Sequence, residues 1–429
     1  MREQGGINTV CINTHVPSYY GRSNPKEGGK PLTASYIPYD DANFEGTSLR
    51  FLREDPDHFA YAERDVLEEV IAPAHERGMK VYPRLLEGFD SLRIDAGWPG
   101  FAKVRQVDIY GELKSASCWN HPEYRACWFG YVRDILARYP VDGLYLGTER
   151  DGPFGPLFNS GSAPTCFCEH CRAKGRERGI DPERAREGMT KLHQLMIDPD
   201  QAVDGMLTTI LRLWMEYPET LAWEKLQADS KFSLFRDVYR FAKSKRPDAQ
   251  VGWFLPYYFN SHDWFNRAAN DYSEIARYAD FIKPNIYFDV QAARFNNTIP
   301  HLRKHYLRDF SSDAEAAAFV STLMGWNMED YPSFEEANHS PAPPSYVYDE
   351  TRRLVRNLKG IDCAPYSGIG VDIPHQEIDN QPGWYHDAAL AAFEAGADGL
   401  LYSREYKYMT DASLNAARDG VRAWLASKN

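Results

Sequence analysis

Short apolar runs of strand length alternate along this chain with longer segments whose apolar residues return at helical spacing. The stretch GGINTVCINTH, Gly5 to His15, reads as a strand entered from a glycine pair. Val66, Val70, Ile71 and Ala74 mark one face of a helix over Tyr61 to Gly78, and that helix delivers a strand at Lys80 to Leu86. A helix at Pro122 to Tyr139 leads into the Val141 strand, whose Leu144, Tyr145 and Leu146 form the unbroken apolar run of a strand buried on both faces. Ala249 to Tyr258, Ala279 to Val290, Cys363 to Glu377 and Asp398 to Ser403 continue the series of strands. Helices at His386 to Ala395 and through Ala412 to Ala426 complete it.

Strands and helices in alternation predict an α/β fold with a parallel sheet, and at 429 residues a (β/α)8-type TIM barrel. Seven strands are legible rather than eight, so the first barrel strand is lacking or rearranged. Two connections exceed what a barrel needs. Residues 172–248 read as a helical insertion after the Val141 strand, and residues 291–361 as a loop-and-helix insertion holding the segment PAPPSY. No Pro/Ser-rich or charge-run linker divides the chain, which predicts a single TIM-barrel domain over 1–429. The polar loop from Val16 to Asp57 is a candidate substrate-side lid.

A barrel builds its chemistry at the carboxyl ends of its strands, so polar residues there are the candidates. Glu149 follows the Val141 strand, and is either a catalytic carboxyl or the partner of Arg150 in holding a loop. Arg84 and Glu87 end the Lys80 strand, where they bind hydroxyl groups or pair with each other. Lys283, Asn285, Tyr287 and Asp289 lie in the Ala279 run, where buried polar groups are costly unless satisfied. Trp253 and Tyr257 are a sugar platform or core packing, and His15 is a sugar contact or a hydrogen-bonded structural histidine. Asp372 ends the apolar part of the Cys363 strand, Glu377 lies beyond it, and Arg404 and Glu405 follow the last strand.

Cys166, Cys168 and Cys171 are too close for an ordinary disulfide framework and well spaced to wrap one metal ion. A closed tetrahedral zinc site needs a fourth ligand, for which Cys118 is the candidate and His170 the substitute. Thiolate-rich sites with four ligands are structural, so the expected cofactor is a structural Zn2+ with no catalytic role. Cys11, Cys127 and Cys363 sit in apolar segments and read as reduced core residues.

From Cys118 the chain runs through HPEYR, a helix ending LARYP, a strand ending in Glu, and Cys-x-Cys-x-x-Cys to Cys171. This run resembles the core of the β-galactosidases of glycoside hydrolase family 42. The resemblance implies a clan A barrel in which the Val141 strand is the fourth and the Cys363 strand the seventh. It implies a retaining glycosidase with Glu149 as acid/base, zinc on Cys118, Cys166, Cys168 and Cys171, and a homo-oligomer. Two positions depart from it: Thr148 stands where that clan usually has Asn, and no Glu closes the seventh strand. The second carboxyl is therefore sought, in this order, at Asp372, Glu377 and Glu405. A pair about 5–5.5 Å apart retains configuration and one about 6.5–9.5 Å apart inverts it. The activity so implied is cleavage of a glycosidic bond in a neutral oligosaccharide or glycoside. The departures leave a catalytically inactive carbohydrate-binding barrel as the alternative.

Composition narrows the partners. A net charge of −12 argues against nucleic acid and anionic membrane surfaces and for a neutral substrate. Ten Trp and 27 Tyr supply rings for stacking on sugars, although core packing is their commoner use. No stretch has the length of apolar residues that a membrane span needs, and MREQGGINTV lacks the apolar region of a signal peptide. Together with reduced cysteines this predicts a cytoplasmic protein, with a removed leader as the alternative.

Overall fold

The computed structural model describes residues 5–16, 34–35, 37–50, 64–87, 100–148, 150, 152–256, 263–374, 378–404 and 406–428. Its strands are β1 (Thr9–Val16), β2 (Ala34–Ser35), β3 (Lys80–Glu87), β4 (Arg105–Val107), β5 (Leu113–Ser117), β6 (Gly143–Thr148), β7 (Gln250–Leu255), β8 (Phe281–Ile286), β9 (Ala364–Ile369) and β10 (Gly399–Leu400). β4 and β5 form a separate antiparallel hairpin, and the other eight make one sheet in the order β2-β1-β3-β6-β7-β8-β9-β10. Every pair in it is parallel except β1 with β2. The seven parallel strands that the sequence predicts are therefore present. On its free side β1 carries the two-residue β2, which pairs antiparallel with His15 opposite Ser35.

Helices cover the sheet: α1 (Val66–Glu76), α2 (Pro122–Arg138), α3 (Phe154–Ser160), α4 (Glu169–Glu177), α5 (Pro182–Ile197), α6 (Met206–Glu216) and α7 (Glu219–Lys245). They continue with α8 (Trp264–Ala269), α9 (Tyr272–Ala276), α10 (Phe288–His305), α11 (Asp313–Met324), α12 (Pro344–Asn357), α13 (Pro382–Glu394) and α14 (Asp411–Ala426). Asp65, Asp181, Ser312 and Thr410 start α1, α5, α11 and α14 by accepting backbone N–H groups that a helix leaves unpaired at its beginning.

Alternate strand residues face two layers. Val81, Leu85, Leu144, Leu146, Val251, Trp253 and Ile282 face outward into one core with Tyr131 and Ile135 of α2 and Phe235 and Val238 of α7. Tyr82, Tyr145, Phe254 and Phe281 face the other way and cluster with Cys11, Tyr366 and Leu401. Residues from the first and last strands of the series thus meet in one inner cluster, as a curled, barrel-like sheet requires. The inner packing also needs glycine. A Cβ on Gly252 would lie 1.9 Å from the Phe281 ring, and one on Gly368 would lie 1.9 Å from Lys283 Cε.

Some boundaries differ from expectation. β8 stops at Ile286 and Tyr287 starts α10, so the segment read as strand up to Val290 ends in a helix. The apolar series Phe288, Phe295, Ile299 and Leu302, all buried on α10, has helical period and overrides the strand-like composition of IYFDV. β7 ends at Leu255 and β9 at Ile369, short of their expected ends. Residues 172–248 are helical as expected, and α7 returns along the barrel. Residues 17–33, 36 and 51–57 of the candidate lid region lie outside the described residues. Among the described residues no helix is long and apolar enough to cross a membrane.

Candidate functional site

Along β8 the inward positions run Phe281, Lys283, Asn285, so the interior turns from aromatic to polar toward the carboxyl ends of the strands. The aromatic base is stacked: Phe281 has ring centroids 5.7 Å from Tyr82, 5.1 Å from Tyr366 and 6.0 Å from Tyr145. Above it the Arg84 guanidinium lies 5.6 Å from the Tyr145 ring and 5.2 Å from that of Phe254. Arg84 also donates to Asn13 Oδ1 at 3.4 Å. Lys283 Nζ sits 5.0 Å from both the Phe254 and Tyr287 rings, donates to Asn285 Oδ1, and donates to Ser403 Oγ at 2.5 Å. Burial pushes the Cys11 thiol below this group up to about 11, with Arg84 and Lys283 pulling the other way. Arg84, Asn285 and Tyr287 of the predicted residues are thus brought together. Asn13 and Ser403 join them without having been singled out in the sequence; period-two alternation along β1 is the signal that could have found Asn13, and nothing comparable marks Ser403, which lies past β10.

Glu149 lies outside the described residues, but both of its neighbours are placed. Thr148 pairs with Glu87 in the sheet, and its Oγ1 accepts the Arg150 N–H at 3.3 Å. The Arg150 guanidinium stacks over the buried Trp119 ring at 4.0 Å. Further on, Glu224 of α7 accepts the Phe154 N–H at 2.8 Å, and a Cβ on Gly152 would lie 2.2 Å from its Oε1. The loop after β6 is therefore fastened to the layer behind it at several points.

Asp372 has another employment. Its carboxylate accepts the Thr410 N–H at 2.7 Å and the Ser413 hydroxyl at 2.9 Å, while its own N–H donates to Tyr385 Oη at 2.9 Å. It thereby anchors the start of α14, at a positive φ of 53°. Asp289 is in the first turn of α10, fully buried, and its Oδ2 accepts the Ile373 N–H at 3.2 Å. Its Oδ1 has no hydrogen-bond partner, and burial pushes its carboxyl up to about 7. Asp372 thus ties the chain after β9 to the start of α14, and Asp289 ties it to α10.

Two predicted residues stand away from the polar group. Trp253 faces outward, stacked on Phe235 with centroids 3.8 Å apart and donating to Tyr278 O at 2.7 Å, so it is core packing rather than a platform. Arg404 is exposed, 4.7 Å over the Tyr408 ring. The side chains of His15 and Glu87 lie outside what is described, as do Tyr257, Glu377 and Glu405.

The cysteines do converge. The sulfurs of Cys118, Cys166, Cys168 and Cys171 all lie within 4.8 Å of one another, with Cys118 3.4 Å from both Cys168 and Cys171. Four sulfurs about 2.3 Å from a tetrahedral zinc span separations of this size. Asn120 directs its backbone N–H to Cys118 Sγ at 3.4 Å and its side-chain amide to Cys171 Sγ at 3.3 Å, the kind of outer hydrogen bonding that orients metal ligands. Cys118 arrives from the β4–β5 hairpin, which is sewn to the cysteine loop by Phe167 N–H to Val107 O at 2.7 Å and Ile109 N–H to Pro164 O at 3.1 Å. That hairpin escaped the sequence reading because its strands are only three and five residues long. His170 is not needed as a ligand and packs on His121 at 4.6 Å.

No protein-family profile matches the sequence, and no curated protein matches it. Solved structures do match. The β-galactosidase of the psychrophilic Marinomonas ef1 superposes with a TM-score of 0.52 at 11% identity, over 100% of this chain and 57% of that one. The polyextremophilic β-galactosidase of the Antarctic haloarchaeon Halorubrum lacusprofundi gives 0.52 at 14% identity, over 98% of this chain and 54% of that one. The chain spans little more than half the length of either. What it shares with these enzymes is the barrel fold.

Proposed function

We propose that the protein is a glycoside hydrolase, a divergent relative of the family 42 β-galactosidases, acting on a neutral oligosaccharide or glycoside. Its support is the polar floor of Asn13, Arg84, Lys283, Asn285 and Ser403, gathered at the carboxyl ends of parallel strands beside the end of β6. Glu149, the next residue after β6, is the general acid/base. With Asp372 engaged at α14 and Asp289 locked beneath the loop after β9, Glu377 is the partner carboxylate. As general acid, Glu149 must be protonated to assist the leaving oxygen. Retention of configuration follows from the family resemblance. Cys118, Cys166, Cys168 and Cys171 hold a structural zinc, which takes no part in the reaction.

The test is hydrolysis of a panel of aryl α- and β-glycosides by the wild type, Glu149→Gln and Glu377→Gln. Each variant loses about a hundredfold or more in kcat if the pair is assigned correctly. A wild type that turns over nothing, yet gains melting temperature with a sugar, is a binding barrel and refutes the hydrolase.

A further inference from the structure

The loop after β6 and the cysteine centre meet at one contact. Trp119 lies between Cys118 and Asn120, and both of those residues belong to the centre's immediate surroundings. Its indole is 1% exposed, and the Arg150 guanidinium 4.0 Å above it is 5% exposed. Lys231 of α7, also buried, has its Nζ 5.9 Å from the same ring. On the strand side, the Arg150 N–H is tied to Thr148 Oγ1. The chain is therefore held on both sides of position 149, by the sheet at Thr148 and by the indole at Arg150. A planar guanidinium on an indole face fixes orientation as well as distance, which neither lysine nor an aliphatic side chain reproduces.

We infer that Trp119 and Arg150 are positioning residues through which the metal centre fixes the strand end bearing Glu149. Metal on the four cysteines immobilises the Cys118–Asn120 turn, the turn sets the indole, and the indole sets Arg150. Both residues are buried and act through the chain at Thr148 and Arg150 rather than on substrate. The mechanical link stands apart from the barrel's substrate, whereas its effect on a rate rests on the glycosidase reading. The two are therefore read separately.

The experiment is hydrogen exchange by mass spectrometry on the full chain, as wild type, Trp119→Leu, Trp119→Phe and Arg150→Met, with zinc content measured and with or without chelator. In the wild type, chelation speeds exchange of a peptide covering 144–154 by about tenfold or more, together with peptides 105–118 and 164–172. Zinc-loaded Trp119→Leu and Arg150→Met already exchange 144–154 at the chelated rate, while 105–118 and 164–172 stay protected. Trp119→Phe, which keeps a flat ring, retains protection. On a hydrolysed glycoside the Leu and Met variants lose kcat with KM unchanged. Full protection of 144–154 in the zinc-loaded Leu and Met variants overturns the inference, and so does a Phe variant that behaves like Leu. If Trp119→Leu fails to fold or hold zinc, Arg150→Met, which leaves the centre's neighbours intact, decides. The expected exchange pattern without any glycoside turnover upholds the link and refutes the hydrolase.

Discussion

Lys283 of β8 reaches across Gly368 of β9 and donates to Ser403 Oγ at 2.5 Å, just past β10. One side chain thus ties together strands that are not neighbours, and it can do so only because the strand between carries no side chain there. A methyl group at 368 would lie 1.9 Å from Lys283 Cε and 2.3 Å from the Pro284 carbonyl oxygen. Gly368→Ala is expected to cost about 1–3 kcal/mol or more by overpacking, measured by urea unfolding. Adding Lys283→Ala should recover only part of this loss, because the backbone carbonyl stays.

Metal removal tests the cysteine centre. Chelation, or Cys171→Ser, should release one zinc per chain, lower the melting temperature and expose the β4–β5 hairpin to protease. A chain purified without zinc, equally stable with and without chelator, would show the four thiols to be packing only.

The two acids beyond β9 should separate by what they disturb. Asp372→Asn removes a charged acceptor from the start of α14 and is expected to cost about 1–2 kcal/mol of stability with activity within about tenfold of wild type. Glu377→Gln is expected to do the reverse. A hundredfold loss of kcat in Asp372→Asn at unchanged stability would return the catalytic role to Asp372.

Asp289 gives a pH signature. Burial raises its carboxyl from 3.8 to about 7, against the Ile373 N–H and Arg294, which pull it down; the Asp372 charge adds to the rise. The folded state then holds the proton more tightly than the unfolded chain. Its contribution is fully present below about pH 4 and is lost as pH climbs through 7. Asp289→Asn, which cannot ionise, should gain on the wild type across that interval, by a few kcal/mol at most. Parallel stability curves for the two proteins from pH 4 to 8 would sink the assignment.

Much of the barrel was legible from sequence because period and continuity carry it. Leu144 to Leu146 have no polar break, and β6 is buried throughout. The cysteine spacing was equally plain, and it met the expectation for Cys118 through a hairpin that had not been foreseen. Illegible were features decided by partners far along the chain. Asp372 reads as a strand-end carboxylate until Thr410 and Ser413 are seen donating to it, and Trp253 as a platform until Phe235 covers it. Asp289 misled because aromatic and β-branched neighbours imitate a strand over the few residues before helical periodicity asserts itself.

The exchange of size between neighbouring strands leaves a mark on sequence history. Gly252 is small because Phe281 is large, and Gly368 because Lys283 crosses it. Neither partner of such a pair can drift alone: a larger residue at 252 collides with the ring, and a smaller one at 281 opens a void that glycine cannot fill. Relatives of this protein should therefore change 252 together with 281, and 368 together with 283, trading bulk from one strand to the next while the sum is conserved.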